Sequence, residues 1–364
     1  MISARGAHGR QALEMLLETH ADKKTQIIPY ALGADVRNRF THALEVRTCT
    51  LALARALGVH DSQLLILLEQ TALLHDLGHS PFGHVGERVL DDLSRTEGGF
   101  ESNAHTIHLL LADSRSSPEL IASSVKHPDV IPYFDPDRRA LRKGTYELDQ
   151  PGLAHCDAAP SRSAFIRSIV DVADTLANAA FDIVDIATVG GIESCQCLDI
   201  SSLPRAVEMR GDPLRWTKQA TSLYQLRARA HDQIREWIEA IGKAPRGARF
   251  EPLTIPSVVA DHIAILTEAG HALFIDSAFN ATVDAAIATT LALAWSRLSA
   301  FSAKESLPRA RCCSSPPVAH TIQQMSELGV IDLAGTADLF VDLCPGEKQW
   351  PIGQTSIHFR ETYS

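Results

Sequence analysis

The segment at residues 164–189 constrains the fold of this chain most. From 169 to 187 its side chains are nearly all apolar, apart from Thr175 and one set of polar residues. That set consists of Asp171, Asp174, Asn178, Asp182 and Asp185. Their steps of three and four place them on one face of an α-helix, so we predict a single helix carrying a polar stripe. Two interpretations of the stripe stay open: a solvated face, or a buried face that requires cations, a metal or hydrogen-bond donors.

The rest of the chain also shows helical rather than strand periodicity. Apolar residues recur at helical spacing in many segments, and alternation with a period of two is scarce, which predicts a mainly α protein. Besides the segment at 164–189, the predicted helices are 9–18, 39–57, 62–77, 83–93, 103–111, 120–126, 214–241, 257–274, 283–298 and 321–328. Residues 128–152 are rich in Pro, Asp, Arg and Tyr without periodicity, and they are predicted to form a long loop.

Composition limits the classes of function. A net charge of −10 argues against strong binding to double-stranded nucleic acid, which requires a basic surface. Residues 285–295, the best apolar stretch near the C-terminus, are too short to span a bilayer, and the start of the chain lacks the apolar segment of a signal peptide. The seven cysteines are odd in number and fit no disulfide framework. We therefore expect a cytoplasmic protein that does not bind membranes.

Residues 75–87 carry the strongest signal for chemistry. They read H-D-L-G-H-S-P-F-G-H-V-G-E, with three histidines, one aspartate and one glutamate in thirteen residues. An apolar run at 64–74 precedes them, so His75 and Asp76 are expected where a buried helix ends. A helix that restarts near residue 83 would place His84 and Glu87 on one face, three residues apart. Imidazoles and carboxylates bind divalent metals and transfer protons, so this density of titratable groups indicates a functional site.

Four residues form a candidate ligand set for a metal. A single histidine in a helix is more often a core or surface residue than a ligand. Two histidines with an adjacent and a distant aspartate, however, offer mixed nitrogen and oxygen ligands that suit Mn²⁺, Fe²⁺, Mg²⁺ or Zn²⁺. The set contains no thiolate, which disfavours a structural zinc site. Its members are His42, His75, Asp76 and Asp174.

At this point the sequence resembles a known family. A His-Asp pair with an upstream histidine and a downstream aspartate is typical of the HD superfamily of metal-dependent phosphohydrolases. The fuller similarity is to its dGTPase-like branch, the deoxynucleoside triphosphate triphosphohydrolases. Five blocks carry that similarity in the same order along the chain: 24–26, 39–46, 75–87, 98–104 and 173–185. Together they cover roughly residues 20–190, and their joint match is far more specific than an isolated His-Asp pair.

The resemblance implies a role for individual residues. The four candidate ligands would hold the metal, and His84 would be the catalytic histidine near the α-phosphate, with Glu87 orienting it. His79 would contact phosphate oxygens, and Arg39 would clamp the phosphates. Gln26 and Asp182 would bind the sugar 3′-hydroxyl. Asn103 would lie on the phosphate side of the site.

The sequence departs from the family at the sugar end of the site. The family usually has tyrosine where this chain has Asn178, and histidine where it has Phe181. Selection of the sugar or base could therefore differ, whereas the metal ligands and the His84–Glu87 pair are intact. Lys126 could also reach phosphates, although exposed lysines are common.

The fold implied by the resemblance is an HD-domain helical bundle with an additional helical C-terminal region. We expect residues 1–190 to form the catalytic domain, and residues 191–364 to complete the fold or an oligomer interface. The implied activity is hydrolysis of deoxynucleoside triphosphates, dGTP by resemblance, to deoxynucleoside and tripolyphosphate. The family also implies a homo-oligomer and a nucleotide effector. Two alternatives stay open: hydrolysis of another nucleotide, such as a monophosphate or a guanosine alarmone, and a catalytically silent sensor that binds nucleotide.

Overall fold

The structure, a computed structural model, is mainly helical over the residues that it describes. It describes residues 3–19, 21–24, 26, 36–95, 98–133, 142–156, 159–192, 213–248, 250–274, 284–285, 287–289 and 291–292. Within these ranges the prediction of a mainly α fold is confirmed. The predicted C-terminal region beyond residue 292 lies outside the described residues. Among the described helices, none combines the length and the hydropathy that a membrane crossing requires.

The helices follow one another along the chain with few other elements between them. They are α1 (Ser3–Glu18), α2 (Arg39–Ala56), α3 (Ser62–Leu74), α4 (Gly83–Leu93), α5 (Ser102–Ala112), α6 (Pro118–Ser124), α7 (Gln150–Leu153), α8 (Pro160–Gly190), α9 (Arg215–Lys218), α10 (Leu223–Lys243) and α11 (Ser257–Phe274). The predicted helix over 214–241 is therefore wrong as one element. The chain restarts at Ser222, whose hydroxyl accepts a hydrogen bond from the Gln225 amide and caps α10.

Helix α8 lies at the centre of the bundle. It packs against α2, α3, α6, α10 and α11. Its apolar residues, among them Ile169, Leu176 and Ile183, are fully buried in the main hydrophobic core. A helix that is apolar on nearly every side is stable only when neighbours cover it, which explains this central position. Because α10 and α11 pack on α8, the boundary predicted at residue 190 separates helices that share a core, and the division into two domains stays a prediction.

Capping and a tight turn position the residues of the predicted site. Asn38 caps α2, where its side chain accepts from the Thr41 amide and the Thr41 hydroxyl accepts from the Asn38 amide. Helix α3 ends at Leu74 rather than at the predicted residue 77. The chain turns there because the Gly78 amide donates to the buried Thr106 hydroxyl at 2.9 Å, which ties the turn to α5.

The turn between α3 and α4 leaves no room for larger residues. Phe82 is buried and has a φ of 60°, and Gly83 follows with a φ of 62°. A Cβ placed on Gly86 would lie 1.8 Å from the Pro81 carbonyl oxygen. The glycines of the 75–87 stretch therefore allow α4 to begin directly against the preceding turn.

The close approach at Gly86 gives a test of this packing. Alanine at an ordinary helical glycine stabilises a protein by up to about 1 kcal/mol. At Gly86 we expect the opposite, a loss of about 3 kcal/mol in the free energy of unfolding, because the added methyl group forces the backbone apart. Urea denaturation would measure it. Gly270 in α11 is the matched control, since its Cβ would meet only side-chain carbons at 3.7 and 3.8 Å. Equal stability of both alanine variants would contradict the described turn.

The predicted loop over 128–152 contains short elements. Val130–Ile131 and Thr145–Tyr146 form two parallel strands, β1 and β2, with Val130 opposite Thr145. A 3-10 turn, Glu147–Asp149, and the short α7 follow. The loop prediction is wrong at these positions because strands of two residues are too short to show any periodicity. The pairing matters for the site, since β2 packs next to α5.

Candidate active site

The four residues predicted as metal ligands lie together, although they come from two helices and from the turn after a third. His42 is on α2, His75 and Asp76 follow α3, and Asp174 is on α8. Ligand atoms of His42, His75 and Asp76 all lie within 4.8 Å of one another. The Asp174 Oδ1 atom lies 3.1 Å from His42 Nε2 and 3.6 Å from His75 Nε2. The cluster is largely buried, and Asp174 retains a side-chain exposure of 19%.

The donor set of this cluster fits a divalent metal. The His75 Nδ1–H donates to the Ala72 carbonyl oxygen at 2.8 Å, which turns Nε2 toward the carboxylates of Asp76 and Asp174. That Nε2 atom is buried and has no hydrogen-bond partner. Because it faces two carboxylate oxygens, this nitrogen requires either a proton or a metal cation between them, and a backbone carbonyl bound to the other ring nitrogen is typical of metal-ligating histidines.

The two carboxylates also determine protonation within the cluster. Burial lowers the pKa of His75, but the negative charges of Asp76 and Asp174 outweigh it and raise that pKa above its usual value. Burial raises the pKa of both aspartates, but neighbouring cations, led by His75 for Asp76 and by Lys126 for Asp174, bring it well below the usual value. The carboxylates are thus ionised, as metal ligands must be.

Two further cations border the cluster. Arg39 Nη1 lies 2.6 Å from Asp76 Oδ2, and its Nη2 donates to the Gln26 carbonyl oxygen at 3.2 Å. Lys126 Nζ lies 3.5 Å from Asp174 Oδ2 and 3.7 Å from Asp171 Oδ1. The Lys126 side chain is only 19% exposed, so the interpretation as an ordinary surface lysine is wrong. No spacing along the chain links residue 126 to α8, and the packing of α6 on α8 brings them together.

The His84–Glu87 pair forms a second centre beside the cluster. On α4 the His84 Nδ1 atom lies 3.0 Å from Glu87 Oε2, as their spacing of three residues predicts. The Glu87 side chain is 2% exposed, whereas that of His84 is 74% exposed. Burial raises the pKa of Glu87, but the hydrogen bond with His84 and the charge of Lys143 outweigh it, so the pKa lies below its usual value. A fixed carboxylate therefore orients an imidazole whose other nitrogen is open to solvent.

His79 lies between the two centres. It is buried, its Nδ1 lies 3.1 Å from the Ser80 carbonyl oxygen, and its ring centroid lies 5.5 Å from that of His84. Burial and the charge of Arg39 lower the pKa of His79 to about 3, so the ring is neutral. Asn103, predicted on the phosphate side, lies on α5 and donates from Nδ2 to Glu101 Oε1 at 2.7 Å.

Gln26 and Asn178 form a hydrogen-bond chain at the other end of the cluster. Asn178 Nδ2 donates to Asp174 Oδ1 at 2.9 Å, and Gln26 Nε2 donates to Asn178 Oδ1 at 3.2 Å. A carboxylate can only accept, so it fixes the direction of both amides. The Gln26 Oε1 atom is consequently left as an acceptor, buried and without a partner. This atom is suited to a ligand that carries a hydroxyl or another donor.

The comparison with known proteins agrees with this geometry. Residues 39–128, which contain His42, His75, Asp76 and Lys126, match the family model described as "HD domain". These residues form an HD domain. Relatives named "Deoxyguanosinetriphosphate triphosphohydrolase-like protein" match over a similar length. That of Rhodopseudomonas palustris strain BisB5 is 47% identical over 96 residues, which are 26% of this chain and 23% of the relative. That of Leptospira interrogans strain Fiocruz L1-130 is 40% identical over 95 residues, 26% of this chain and 24% of the relative.

The similarity is confined to the HD domain. The alignments span about a quarter of the length of the curated relatives. The resemblance inferred from the sequence is confirmed for this part of the chain. The roles predicted for the individual site residues stay predictions, although the structure brings them into one region.

A residue beside the site was missed from the sequence. Arg37 forms ion pairs with three carboxylates: Asp185 Oδ2 at 2.7 Å, Glu45 Oε2 at 3.2 Å, and Asp182. The Arg37 and Asp185 side chains are 7% and 2% exposed. Burial raises the pKa of Asp182, and the charge of Arg37 opposes this increase. The negative charge of Asp185 adds to the increase, and the pKa of Asp182 lies at about 6.

The polar stripe of α8 is therefore mostly a buried face that cations neutralise. Lys126 faces its first half and Arg37 its second half. Asp171, with a side-chain exposure of 44%, is the most solvated of its four aspartates. Of the two interpretations of the stripe, the structure therefore favours a buried face paired with cations over a solvated face. Asp182, predicted to bind the sugar, is held by Arg37 on the same side of α8 as Asn178.

Removing the Arg37 charge is expected to destabilise the folded protein strongly. Methionine at this position leaves three carboxylates close together without their cation, which costs about 3–5 kcal/mol of unfolding free energy. Chemical denaturation would measure it, with Arg88→Met as the control. Arg88 is 58% exposed and pairs with the exposed Asp284 at 3.7 Å, so its loss should change stability by at most about 1 kcal/mol. Equal effects of the two substitutions would contradict the assignment of Arg37 as a buried neutralising cation.

Proposed function

We propose that this protein is a metal-dependent phosphohydrolase that cleaves deoxynucleoside triphosphates to deoxynucleoside and tripolyphosphate. One observation carries the proposal: a cluster of two imidazoles and two carboxylates lies beside an exposed histidine that a buried glutamate orients. The names of the relatives support dGTP as the substrate. His42, His75, Asp76 and Asp174 would hold the metal, for which Mn²⁺, Mg²⁺ and Fe²⁺ are the first candidates and Zn²⁺ a further one.

The triphosphate end of the substrate requires positive charge in the site. A triphosphate concentrates negative charge, and a bound divalent cation would polarise the phosphate and neutralise part of that charge. Arg39 and Lys126 lie against the ligand carboxylates, so their cationic groups are close enough to the cluster to contact phosphate oxygens there. Arginine binds phosphate through two parallel hydrogen bonds, which would fix the orientation of the chain of phosphates. The Nδ1–H of neutral His79 is directed to the Ser80 carbonyl oxygen, so His79 would donate from Nε2 to a phosphate oxygen only after taking up a proton.

His84 is suited to the proton transfer. Water attacks the α-phosphorus, the bond between that phosphorus and the 5′-oxygen breaks, and the departing oxygen requires a proton. The imidazolium of His84 would deliver it from Nε2, while Nδ1–H remains bonded to Glu87. The Glu87 carboxylate holds the ring in position and stabilises its charged form, as a buried carboxylate does for a catalytic histidine.

The sugar would bind at the Gln26 end. The 3′-hydroxyl of a deoxyribose would donate to the unpaired Gln26 Oε1 atom, whose direction the Asp174–Asn178 chain fixes. Asp182, held by Arg37, would accept from the same hydroxyl or from a bridging water. Asn178 stands where the family usually has tyrosine, so selection between deoxyribose and ribose has to be measured for this chain.

Assembly and location complete the proposal. We propose a cytoplasmic homo-oligomer in which residues 191–364 complete the fold or form the interface, and in which a nucleotide effector binds outside the active site. The packing of α10 and α11 on α8 supports a role of the C-terminal region in completing the core. Light scattering with and without added dGTP would measure the oligomeric state.

Product analysis tests the proposed function. The protein is incubated with each deoxynucleoside and ribonucleoside triphosphate in the presence of Mn²⁺ or Mg²⁺, and the products are separated by ion exchange. Free deoxynucleoside and tripolyphosphate in equal amounts are expected. Monophosphate with pyrophosphate, turnover of monophosphates or guanosine alarmones alone, or no turnover by folded, metal-loaded protein would each contradict the proposal. The last outcome would favour a nucleotide-binding sensor.

A further inference from the structure

Lys143 contacts the buried carboxylate of the His84–Glu87 pair from a distant part of the chain. It precedes β2, and its Nζ atom lies 3.2 Å from Glu87 Oε1 and 2.8 Å from Glu101 Oε1. The Glu87 and Glu101 side chains are 2% and 0% exposed, whereas that of Lys143 is 41% exposed. One ammonium group thus bridges two carboxylates that are removed from water.

This bridge is required by the burial of the two glutamates. Adjacent carboxylates repel each other, and each loses its hydration, unless donors and a cation replace the water. Glu101 accepts from Asn103 Nδ2 and from the Ala104 amide, both at 2.7 Å. Those donors are neutral, so Lys143 supplies the positive charge. Burial lowers the pKa of Lys143, but the two carboxylates outweigh it and raise that pKa above its usual value.

The contacts of Glu87 are divided between its two oxygens. Oε1 accepts from the Ser102 amide at 2.9 Å and from Lys143, and Oε2 faces His84 Nδ1. Two anchors on one oxygen fix the rotation of the carboxylate and thereby direct the other oxygen to the histidine. We propose that Lys143 is a positioning residue for proton transfer, which acts by holding the ionised Glu87 carboxylate toward His84. The inference rests on the proposed function of the His84–Glu87 pair.

The charged groups around His84 determine the direction of the effect. The His84 ring faces Glu87 and the neutral His79, and Lys143 and Glu101 lie beyond Glu87. Arg39 and Asp76 act on His79 from the metal cluster. Removing the ammonium of Lys143 removes a positive charge that disfavours a second positive charge on His84. The imidazolium form of His84 then persists to higher pH. His84 becomes a weaker acid, and the Glu87 carboxylate holds its ring less firmly.

The test compares Lys143→Met with Lys143→Arg in the full chain. The titration of His84 is followed by NMR of histidine-labelled protein, with the signal assigned through His84→Gln, and kcat and KM are measured against pH. For Lys143→Met we expect the His84 midpoint to lie above that of the parent, because a nearby positive charge has been removed. We also expect kcat to fall by about 10-fold, which is less than the roughly 100-fold or greater loss expected when the proton donor itself is removed. KM should stay within about twofold. Lys143→Arg should restore both properties toward those of the parent.

Controls separate this inference from other roles of Lys143. Lys243→Met is the matched control, because Lys243 is 78% exposed and pairs with the exposed Glu239 at 3.5 Å. An unchanged or lowered His84 midpoint in folded Lys143→Met would overturn the proposal, and so would a rise in KM with unchanged kcat, which indicates a substrate contact. If the parent hydrolyses no nucleotide, the proposed function fails, whereas the NMR titration still reports whether Lys143 acts on His84.

Discussion

Replacing His84 with glutamine should lower kcat about 100- to 10,000-fold, the range that a positioned proton donor contributes. Glutamine retains a polar side chain of similar length but cannot carry a proton to the leaving oxygen. Because the His84 side chain is 74% exposed and is not among the four residues of the metal cluster, metal content and stability should be unchanged. Steady-state kinetics, elemental analysis of the purified protein and thermal unfolding would measure these three properties.

The control for this variant is another exposed histidine. His60 follows α2 and is exposed, so His60→Gln should retain the parental kcat. Retention of activity by His84→Gln would remove His84 from the mechanism. Loss of metal together with activity would instead indicate that His84 supports the cluster, and the two centres could then no longer be treated as separate.

The second large effect is expected at the metal cluster. Replacing Asp174 with alanine removes a carboxylate that faces both histidines, and the affinity for Mn²⁺ should fall by more than about 100-fold, beyond what the loss of a supporting hydrogen bond costs. Turnover should become undetectable. Metal binding also stabilises the folded state, by about 2.7 kcal/mol when free metal is 100 times its Kd. The increase in Tm that metal gives the parent should therefore be absent from Asp174→Ala.

Helix α8 offers a matched control for this substitution. Asp171 lies on the same stripe, three residues earlier, and its side chain is 44% exposed. Asp171→Ala removes the same charge from the same helix but should leave metal affinity and turnover within about threefold of the parent, as surface substitutions usually do. If both variants bind metal like the parent, the ligand assignment is wrong. Asp76→Ala should repeat the result of Asp174→Ala from the other side of the cluster.

The sequence predicted those parts of the site that depend on local spacing. His84 and Glu87 are three residues apart in one helix, and the stripe of α8 follows a helical period, so both could be placed before any fold was known. The set of metal ligands was harder to predict, because His42 and Asp174 are 132 residues apart. Their proximity was inferred from resemblance to a family, and the structure shows them in contact.

Tertiary packing determines what the sequence did not show. Arg37 meets Asp182 and Asp185 only because α2 packs on α8, and no spacing along the chain relates these residues. Lys143 lies in a stretch that was predicted to be a loop, and the two-residue pairing of β1 and β2 is too short to be read from a pattern. Lys126 could be noted from its position in the chain, but its burial against Asp174 could not.

The position of bond cleavage tests the central claim most directly. Hydrolysis of dGTP is carried out in water enriched in ¹⁸O, and both products are analysed by mass spectrometry. Attack at the α-phosphorus, with His84 protonating the departing 5′-oxygen, predicts one ¹⁸O atom in each tripolyphosphate and none in deoxyguanosine. Label in deoxyguanosine would show attack at the 5′-carbon, and label in a monophosphate or in pyrophosphate would show a different phosphoryl transfer. Either result would contradict the arrangement proposed for His84, Glu87 and the metal cluster.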